Sequence, residues 1–275
     1  MSDAALELEL GQARSEAFPL RWYRENTGLA RALFSFLVVG IVWELAGRSG
    51  NWPLILAPLS DIWAKFVRLA TTGELQRHTL VSLHEFVVGF AVAAAFGVCL
   101  GIAIASSEAV RDFVDPWVSA IYATPTVALA PMFIFIFGID APSKMAVVFL
   151  LAVFPIVINT ATGIRSTERV YIEAARSFCA SRRQIFTKVL IPAALPFIVA
   201  GLRLGIGRGL VGVVVGEFIG ARAGLGYMIF RSSQGFEIDA MWAGVFLLAG
   251  TGVLSVVLLQ RVERHLAPWR RFELQ

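Results

Sequence analysis

The chain has 275 residues, of which 57% are hydrophobic and only 16% are charged, with a mean hydropathy of +0.72. Soluble domains carry about 45–50% apolar and about 25% charged residues, so this composition indicates a membrane protein and argues against a soluble enzyme. The net charge of +4 would suit nucleic acid or anionic lipid, but in a membrane protein the placement of Lys and Arg is more informative than their sum.

Six apolar runs come close to the length of about 20 residues that a helix needs to cross the bilayer. They predict spans at 31–47, 80–105, 113–138, 143–164, 192–219 and 240–260. The first run is short, and Pro125 and Pro131 interrupt the third, which membrane helices tolerate where neighbours satisfy the freed carbonyls. We therefore expect an all-α membrane protein of about six transmembrane helices. The predicted parts are an acidic N-terminal segment without a cleavable signal peptide (1–30), a transmembrane domain (31–262) and a C-terminal tail (263–275).

The basic residues predict the orientation. With both termini in the cytoplasm, the inner segments hold fifteen of the 24 Lys and Arg residues and the outer segments hold seven. This excess on the inner side is typical of cytoplasmic loops. Within the first outer segment, Ile62, Phe66 and Leu69 recur at helical spacing and predict an interfacial helix.

The longest inner loop, 165–191, is charged and rich in alanine. Its apolar residues recur at i, i+3, i+4 and i+7 and predict one face of a short helix. Glu173 and Arg176 lie on another face of the same helix and form a favourable i, i+3 pair. A break is expected near Cys179–Ser181, followed by a second helix that enters the fifth span, with Pro192 in its first turn. The apolar face consists of Tyr171, Ala174, Ala175 and Phe178.

This loop could rest on anionic lipid headgroups or could bind another protein. A lipid-bound helix carries bulky Leu, Trp or Phe on its apolar face. Here two of the four positions are alanine, which bury little area but let a partner backbone come close. The pattern therefore favours a protein partner.

The stretch EAARSFCASRRQIFTKVLIPAALP (173–196) resembles the loop of bacterial ABC-importer permeases, in which EAA, three residues, Gly and about nine residues precede an I-x-L-P-like ending. Four further stretches resemble the branch that transports nitrate, alkanesulfonates, taurine, bicarbonate or thiamine-precursor pyrimidines. They are ATPTVALAPMFIFIFGIDAPSK, FPIVINTATGIRS, AGLRLGIGRGL and GEFIGARAGLGYMI. The resemblance covers about 80–260 and implies a type I ABC importer permease fold in the bacterial cytoplasmic (inner) membrane.

The resemblance also implies the partners. The inner loop would form a coupling helix that docks on a cytoplasmic ABC ATPase dimer. A periplasmic or lipid-anchored solute-binding protein would dock on the outer side at Gly224–Asp239, although that segment could equally be an ordinary interfacial helix. The ATPase-coupling residues that it implies are Glu173, Ala174, Ala175, Arg176, Phe178, Cys179, Arg182 and Pro192.

No phosphate-binding loop is present, because none of the three lysines, Lys65, Lys144 and Lys188, follows a glycine. We therefore expect no catalytic residue and no cofactor in this chain, with ATP and Mg²⁺ bound by the separate ATPase. His78, His84 and His265 are scattered and suggest no metal site.

Cys179 departs from the family pattern, which has glycine there. Glycine permits a positive φ or a close approach, so with cysteine the turn either lies in ordinary backbone space or carries strain. The cysteine could make the loop sensitive to oxidation, or it could be a neutral replacement of one small residue by another. A disulfide with the distant Cys99 is not expected.

The fifth span carries two linked ladders of glycine at four-residue spacing, which allow membrane helices to approach closely. They could pack against the chain's own helices or against a second copy. Because the family works in pairs, the resemblance implies a homodimer with the pathway at the subunit junction, and a heterodimer with a related permease is the alternative. The ladders are Gly201, Gly205, Gly209, Gly212, Gly216 and Gly220.

Arg203 and Arg208 lie within the same span, where a charge needs a partner or water. They could line an anion pathway, or they could pair internally with Glu85 or Glu217. Further candidates for the translocation path are Thr124, Asn159 and Glu217 itself.

The sequence thus predicts a permease subunit of a binding-protein-dependent importer for a small anion such as a sulfonate, taurine or nitrate. A pyrimidine precursor or an aromatic carboxylate is the alternative substrate. A stand-alone secondary transporter or channel is the alternative mechanism, and a membrane-embedded enzyme is disfavoured because no catalytic constellation is found.

Overall fold

The computed structural model describes residues 27–50 and 55–266. These residues form helices and connecting loops, and no strand is found among them. The helices are α1 (Thr27–Arg48), α2 (Leu59–Thr71), α3 (Glu74–Ser106), α4 (Glu108–Ala123), a 3₁₀ turn (Thr126–Leu129), α5 (Ala130–Phe137), α6 (Ala141–Arg165), α7 (Arg169–Ser177), α8 (Arg182–Ile185), a π turn (Phe186–Leu190), α9 (Ile191–Gly220), α10 (Leu225–Gln234) and α11 (Ile238–Leu266). The predicted segments 1–30 and 263–275 fall mostly outside the described residues.

The chain divides into two compact units, of which the first ends at Trp63 and the second begins at Ala64. In the first unit, α1 exposes large apolar side chains such as Phe34 and Phe36 along its length, as a helix that faces lipid does. Its C-terminal end is fixed by an indole hydrogen bond of 3.0 Å from Trp43 to the carbonyl of Ala57.

The second unit is built around α6, whose central residues Val148, Ala152 and Ile156 are fully buried. On one side α3 runs parallel to it, with small residues at the contact. A Cβ atom on Gly89 would lie 2.8 Å from Cβ of Val148, and one on Gly101 would lie 2.7 Å from Cβ of Thr160. The two helices therefore touch almost backbone to backbone.

On the other side of α6 lies α9, which runs antiparallel to it. The predicted glycine ladders form this contact: Gly201 faces Asn159 near one end of α6, and Gly216 faces Lys144 near the other. The other ladder glycines also contact residues of this chain: Gly205 contacts Ile156, Gly209 contacts Phe86, Gly212 contacts Val148 and Gly220 contacts Ile134. Of the two predicted uses of the ladders, the structure shows packing within the chain.

The third predicted span is not one straight helix. α4 ends at Ala123, and the segment Thr126–Phe137 continues at an angle of 89° to it. Pro125 lies at the break, where its ring prevents the helix from continuing. Five of the described helices are long and apolar enough to cross a membrane, and a sixth crossing exists if this bent pair counts as one span.

Two short helices lie near the N-terminal end of α3. The predicted interfacial helix forms as α2, but Leu69 on its apolar face is buried against Leu75 and Met228. In the same way, α10 buries Leu225 and Ile229 against protein. Protein thus covers these apolar residues, which the interfacial-helix interpretation assigned to lipid.

Candidate functional site

The inner loop folds as a helix, a turn and a second helix, as the spacing predicts. α7 covers Arg169–Ser177, and α8 begins at Arg182 after the N-cap Ser181. The cap is a reciprocal capping box, in which the Ser181 hydroxyl accepts from the Gln184 backbone N–H while the Gln184 side chain accepts from the Ser181 backbone N–H. α8 then continues without a break through the π turn into α9, whose first turn contains Pro192.

The turn after α7 is a Schellman motif with Cys179 at the position that usually holds glycine. The Cys179 N–H donates to the Arg176 carbonyl at 2.8 Å, and the Ala180 N–H donates to the Ala175 carbonyl at 3.1 Å. Cys179 has a φ of 56°, in the left-handed region. The expectation of an ordinary backbone conformation is therefore wrong, and the alternative of a strained turn is correct. A side chain in this region costs about 1–2 kcal/mol.

α7 buries none of its side chains in this chain. Val170 and Tyr171 are exposed, and Phe178 at the end of the helix is 87% exposed. The predicted ion pair between Glu173 and Arg176 is not found among the described residues, so both side chains are available for other contacts. An exposed aromatic residue beside small alanines is typical of a surface that a partner covers.

The two cysteines lie apart. Both Cys99, on α3, and Cys179 are exposed free thiols. Neither one is close to a group of His, Asp or Glu residues that could hold a metal ion, within residues 27–50 and 55–266.

The two arginines of the fifth span lie on its exposed side, in different settings. Arg203 pairs with Glu263 of α11 at 3.2 Å. Arg208 has no ion pair in the described part of the chain. Of the two alternatives, the structure shows internal pairing for Arg203, but with Glu263 rather than with Glu85 or Glu217, whose carboxyl groups are buried elsewhere. A role of either arginine in a pathway stays a prediction.

Glu217 is instead the centre of a buried polar cluster that caps α10. Its carboxylate accepts a hydrogen bond of 2.5 Å from the Ser82 hydroxyl on α3 and one of 2.5 Å from the Gly226 N–H. A longer bond of 3.3 Å comes from the Tyr227 N–H. A carboxylate is well placed there, because the N-terminus of a helix carries unpaired N–H groups and a partial positive charge.

The other amide groups at the start of α10 are satisfied by α3. The Gly224 N–H donates to Nδ1 of His78 at 3.0 Å, and the Leu225 N–H donates to the Ser82 hydroxyl at 2.7 Å. Glu85 lies beside Glu217, and one of its carboxyl oxygens has no hydrogen-bond partner in the described residues. We call His78, Ser82, Glu85 and Glu217 the capping cluster. Sequence reasoning missed it, since Ser82 and Glu217 are 135 residues apart in the chain.

The other path candidates bond within their own helices. The Thr124 hydroxyl donates to the Ala120 carbonyl at 2.9 Å, and the Asn159 amide donates to the Pro155 carbonyl at 2.8 Å. Thr124 is exposed at the bend of the third span, whereas Glu217 is 1% exposed inside the chain. Their role in a pathway stays a prediction.

Comparison with known proteins agrees with this architecture. The family model for the binding-protein-dependent transport system inner membrane component matches residues 97–272. The SsuC permease protein of Bacillus subtilis, whose name assigns it to the transport of aliphatic sulfonates, is 32% identical over 95% of both chains. The taurine transport permease TauC of Escherichia coli is 31% identical over 85% of this chain and 86% of its own. The formylaminopyrimidine transport permease ThiX of Halalkalibacterium halodurans is 33% identical over 90% of this chain and 98% of its own.

Solved structures show the same fold. An inward-facing structure of the MetNI methionine ABC transporter superposes with a TM-score of 0.58 and 21% sequence identity, over 72% of this chain and 98% of that one. Together with the exposed helix-turn-helix loop, these matches assign the architecture. The chain belongs to the binding-protein-dependent transport system inner membrane component family, and it is a membrane-spanning permease subunit of the ABC importer class.

Proposed function

We propose that this permease moves a small oxyanion, such as a sulfonate, taurine or nitrate, into the cytoplasm by alternating access driven by a separate ATPase. The observation that carries the proposal is the exposed loop of α7 and α8, which is fixed by caps at its turn and runs without a break into α9. Such a loop can receive force from a docked partner and pass it to a membrane helix.

Docking of the ATPase dimer on α7 is supported by the exposed side chains there. Phe178 offers an apolar anchor, and Ala174 and Ala175 permit close approach. Glu173 is the only acidic residue between Arg169 and Ile185, amid four arginines. A mixed surface of this kind, with an aromatic anchor and a polar rim, is typical of protein interfaces.

Movement of the loop would be carried by α9. This helix has 30 residues, so it is about 45 Å long, and its glycines hold it against α6 from Gly201 to Gly216 and against α5 at Gly220. Work applied at Pro192 would thus reach Gly220 at the opposite end. ATP and Mg²⁺ would bind to the ATPase, with no cofactor on this chain, because no lysine here follows a glycine as a phosphate-binding loop requires.

Two copies would form the pathway. The proposed arrangement is a homodimer with the translocation path at its junction, where exposed apolar side chains such as Phe135, 89% exposed, would face the second copy rather than lipid. A heterodimer with a related permease is the alternative. With the loop docked on a cytoplasmic ATPase, the loop and both termini would lie in the cytoplasm. The helix α10 and the N-terminal end of α3 would then face outward and could meet a solute-binding protein.

The substrate class is supported by the relatives. SsuC and TauC are named for sulfonates, whereas ThiX is named for a pyrimidine, which makes a pyrimidine precursor the alternative substrate. Arg208, which is exposed on α9 and has no ion pair among the described residues, is compatible with an anion path, whereas Arg203 is paired with Glu263. An aromatic carboxylate also fits this charge.

The test is reconstitution of the permease in liposomes with its ATPase and its binding protein. Uptake of radiolabelled taurine or ethanesulfonate is expected only when the ATPase, the binding protein and ATP are all present. Flux that persists when any of the three is omitted would favour a stand-alone secondary transporter or a channel, and would contradict the proposal.

A further inference from the structure

A cavity of about 740 Å³ lies at the end of the molecule opposite the inner loop. Its walls come from the C-terminal half of α2, the first turn of α3, the helix α10 and the first turn of α11. All these residues belong to the second compact unit. The size is within the range of about 300–1,000 Å³ that small-molecule sites occupy.

The cavity is strongly basic. Five cations line it against two carboxylates. The imidazole of His78, which also lines it, is neutral, because its Nδ1 accepts a hydrogen bond from the Gly224 N–H. The cations are Lys65, Arg68, Arg77, Arg222 and Arg231, and the carboxylates are Glu74 and Glu237. A concave surface with one dominant sign of charge concentrates ions of the opposite sign.

Two of the cations are already engaged. Lys65 donates to Glu237 at 2.7 Å and lies 3.8 Å from Asp239. The hydrogen bond from Lys65 lowers the pKa of Glu237, which is therefore ionised at neutral pH and neutralises the lysine. Arg231 donates to the Tyr227 hydroxyl at 2.8 Å, which orients its guanidinium.

The other three, Arg68, Arg77 and Arg222, are exposed and form no ion pair in the described part of the chain. They come from α2, α3 and the loop before α10, so they approach the cavity from three directions. A guanidinium offers several N–H donors in a planar arrangement that matches the oxygen atoms of a carboxylate, sulfonate or phosphate.

The capping cluster fixes this wall of the cavity. Since Glu217, Ser82 and His78 occupy the free amide groups at the start of α10, those amides are not available to a ligand. They hold α10 against α3 instead, and thereby set the positions of Arg222 and Arg231 relative to Arg77. Because the backbone is held in place by these buried bonds, anion binding must order only the arginine side chains, which reduces its entropy cost.

We propose that this basic cavity binds a small oxyanion, by its sulfonate, carboxylate or phosphate group, at the outer end of the permease. This assignment rests on the proposed function only for the statement that the cavity faces outward and that the anion is the transported solute. The binding itself depends on Arg68, Arg77 and Arg222.

The test uses the full-length permease with its ATPase in nanodiscs of phosphatidylcholine, with Cys99→Ala, Cys179→Gly and Ser232→Cys. Ser232 lines the cavity. The new thiol is labelled with sulfonatoethyl methanethiosulfonate, which is anionic, or with its trimethylammonioethyl analogue, which is cationic. The ratio of the two rates is divided by the same ratio for a free thiol. We expect this normalised ratio to favour the anion about tenfold or more, as electrostatic steering does.

Two substitutions test whether the arginines cause this preference. Arg77→Gln with Arg222→Gln is expected to bring the ratio close to one, whereas the control Arg165→Gln, which removes a cation at the inner end of α6, leaves it unchanged. Ethanesulfonate at millimolar concentration is expected to slow labelling by the neutral methyl methanethiosulfonate, and ethylammonium is not. A ratio near one in the parent, or no protection by ethanesulfonate, overturns the proposal.

Further arms separate the possible sources of the anion. Nanodiscs that contain phosphatidylglycerol should leave the protection by ethanesulfonate unchanged; its loss there would assign the cavity to a lipid headgroup and overturn the assignment to a solute. Protection by the binding protein but not by ethanesulfonate would assign the cavity to an acidic surface of that protein, and would also overturn the assignment to a solute. Because labelling requires no ATP, its result is independent of whether uptake is ATP-driven.

Discussion

The carboxylate of Glu217 accepts a hydrogen bond of 2.5 Å from the hydroxyl of Ser82, a residue 135 positions earlier in the chain. The same hydroxyl accepts from the Leu225 N–H at 2.7 Å. Ser82 therefore connects the two membrane helices α3 and α9 to the start of α10, in a site where both polar side chains are buried.

Glu217→Gln is expected to destabilise the protein by about 2–3 kcal/mol. Both oxygens of the Glu217 carboxylate accept buried hydrogen bonds, and in glutamine one of them becomes an NH₂ group that faces the hydroxyl or N–H donors of its former partners. The thermal unfolding of the purified permease measures this. Asp112→Asn is the control, since Asp112 is an exposed partner of Arg111, and its effect should stay within about 0.5 kcal/mol. Equal stability of the two variants would show that the capping cluster does not hold α10.

Cys179→Gly is expected to stabilise the inner loop by about 1 kcal/mol, because glycine adopts the left-handed conformation of this residue without a steric penalty. Cys99→Gly is the matched control. It lies inside α3, where glycine should lower stability by a few tenths of a kcal/mol to about 1 kcal/mol. If the strain at Cys179 is real, the unfolding temperature rises in Cys179→Gly and falls in Cys99→Gly. If it falls in both variants, the turn is not strained.

Gly212→Ala is expected to destabilise the protein by about 1–3 kcal/mol, because its Cβ would lie 3.0 Å from the Cα of Val148, a backbone atom that has no room to move. Gly207→Ala on the same helix has no atom of the described residues within 4 Å of the new Cβ, so it should be neutral or stabilising. The difference between the two unfolding temperatures isolates the packing of α9 on α6. An equal effect would contradict this packing.

Glu237→Gln is expected to raise the anion preference of the basic cavity by several-fold, because it removes one of two lining carboxylates and leaves Lys65 with only the more distant Asp239. The ratio of labelling rates at Ser232→Cys measures the change. Asp61→Asn, which removes an acid that does not line the cavity, is the control. An unchanged or lower ratio in Glu237→Gln would show that Lys65 does not contribute to the cavity's field.

Much of this fold follows from local sequence patterns. Apolar length predicted the spans within several residues, although α3 starts at Glu74 rather than near residue 80. The spacing of Tyr171, Ala174 and Phe178 predicted α7, and the break was expected at Cys179–Ser181. Each of these features depends on neighbouring residues, whose periodicity a single sequence records.

The features that were missed depend on residues far apart in the chain. The partner of Arg203 is Glu263, and the cap of α10 comes from His78, Ser82 and Glu217. No local spacing links such residues, because tertiary packing alone brings them together. The basic cavity was missed for the same reason: its cations are spread from Lys65 to Arg231, and in the sequence they only weakened the predicted charge asymmetry.

In the proposed mechanism, α7 receives the force of ATP hydrolysis from a docked ATPase. ATP-driven uptake by liposomes that contain Glu173→Lys tests it most directly, because this change makes every charge between Arg169 and Ile185 positive without touching a buried residue. Glu108→Lys, at the exposed start of α4, is the matched control. We expect uptake to fall at least about tenfold in Glu173→Lys, as the loss of a central interface contact of about 1.4 kcal/mol or more implies, and to stay near the parent rate in Glu108→Lys. Parent-like uptake by Glu173→Lys would contradict the assignment of α7 as the site that couples the ATPase to transport.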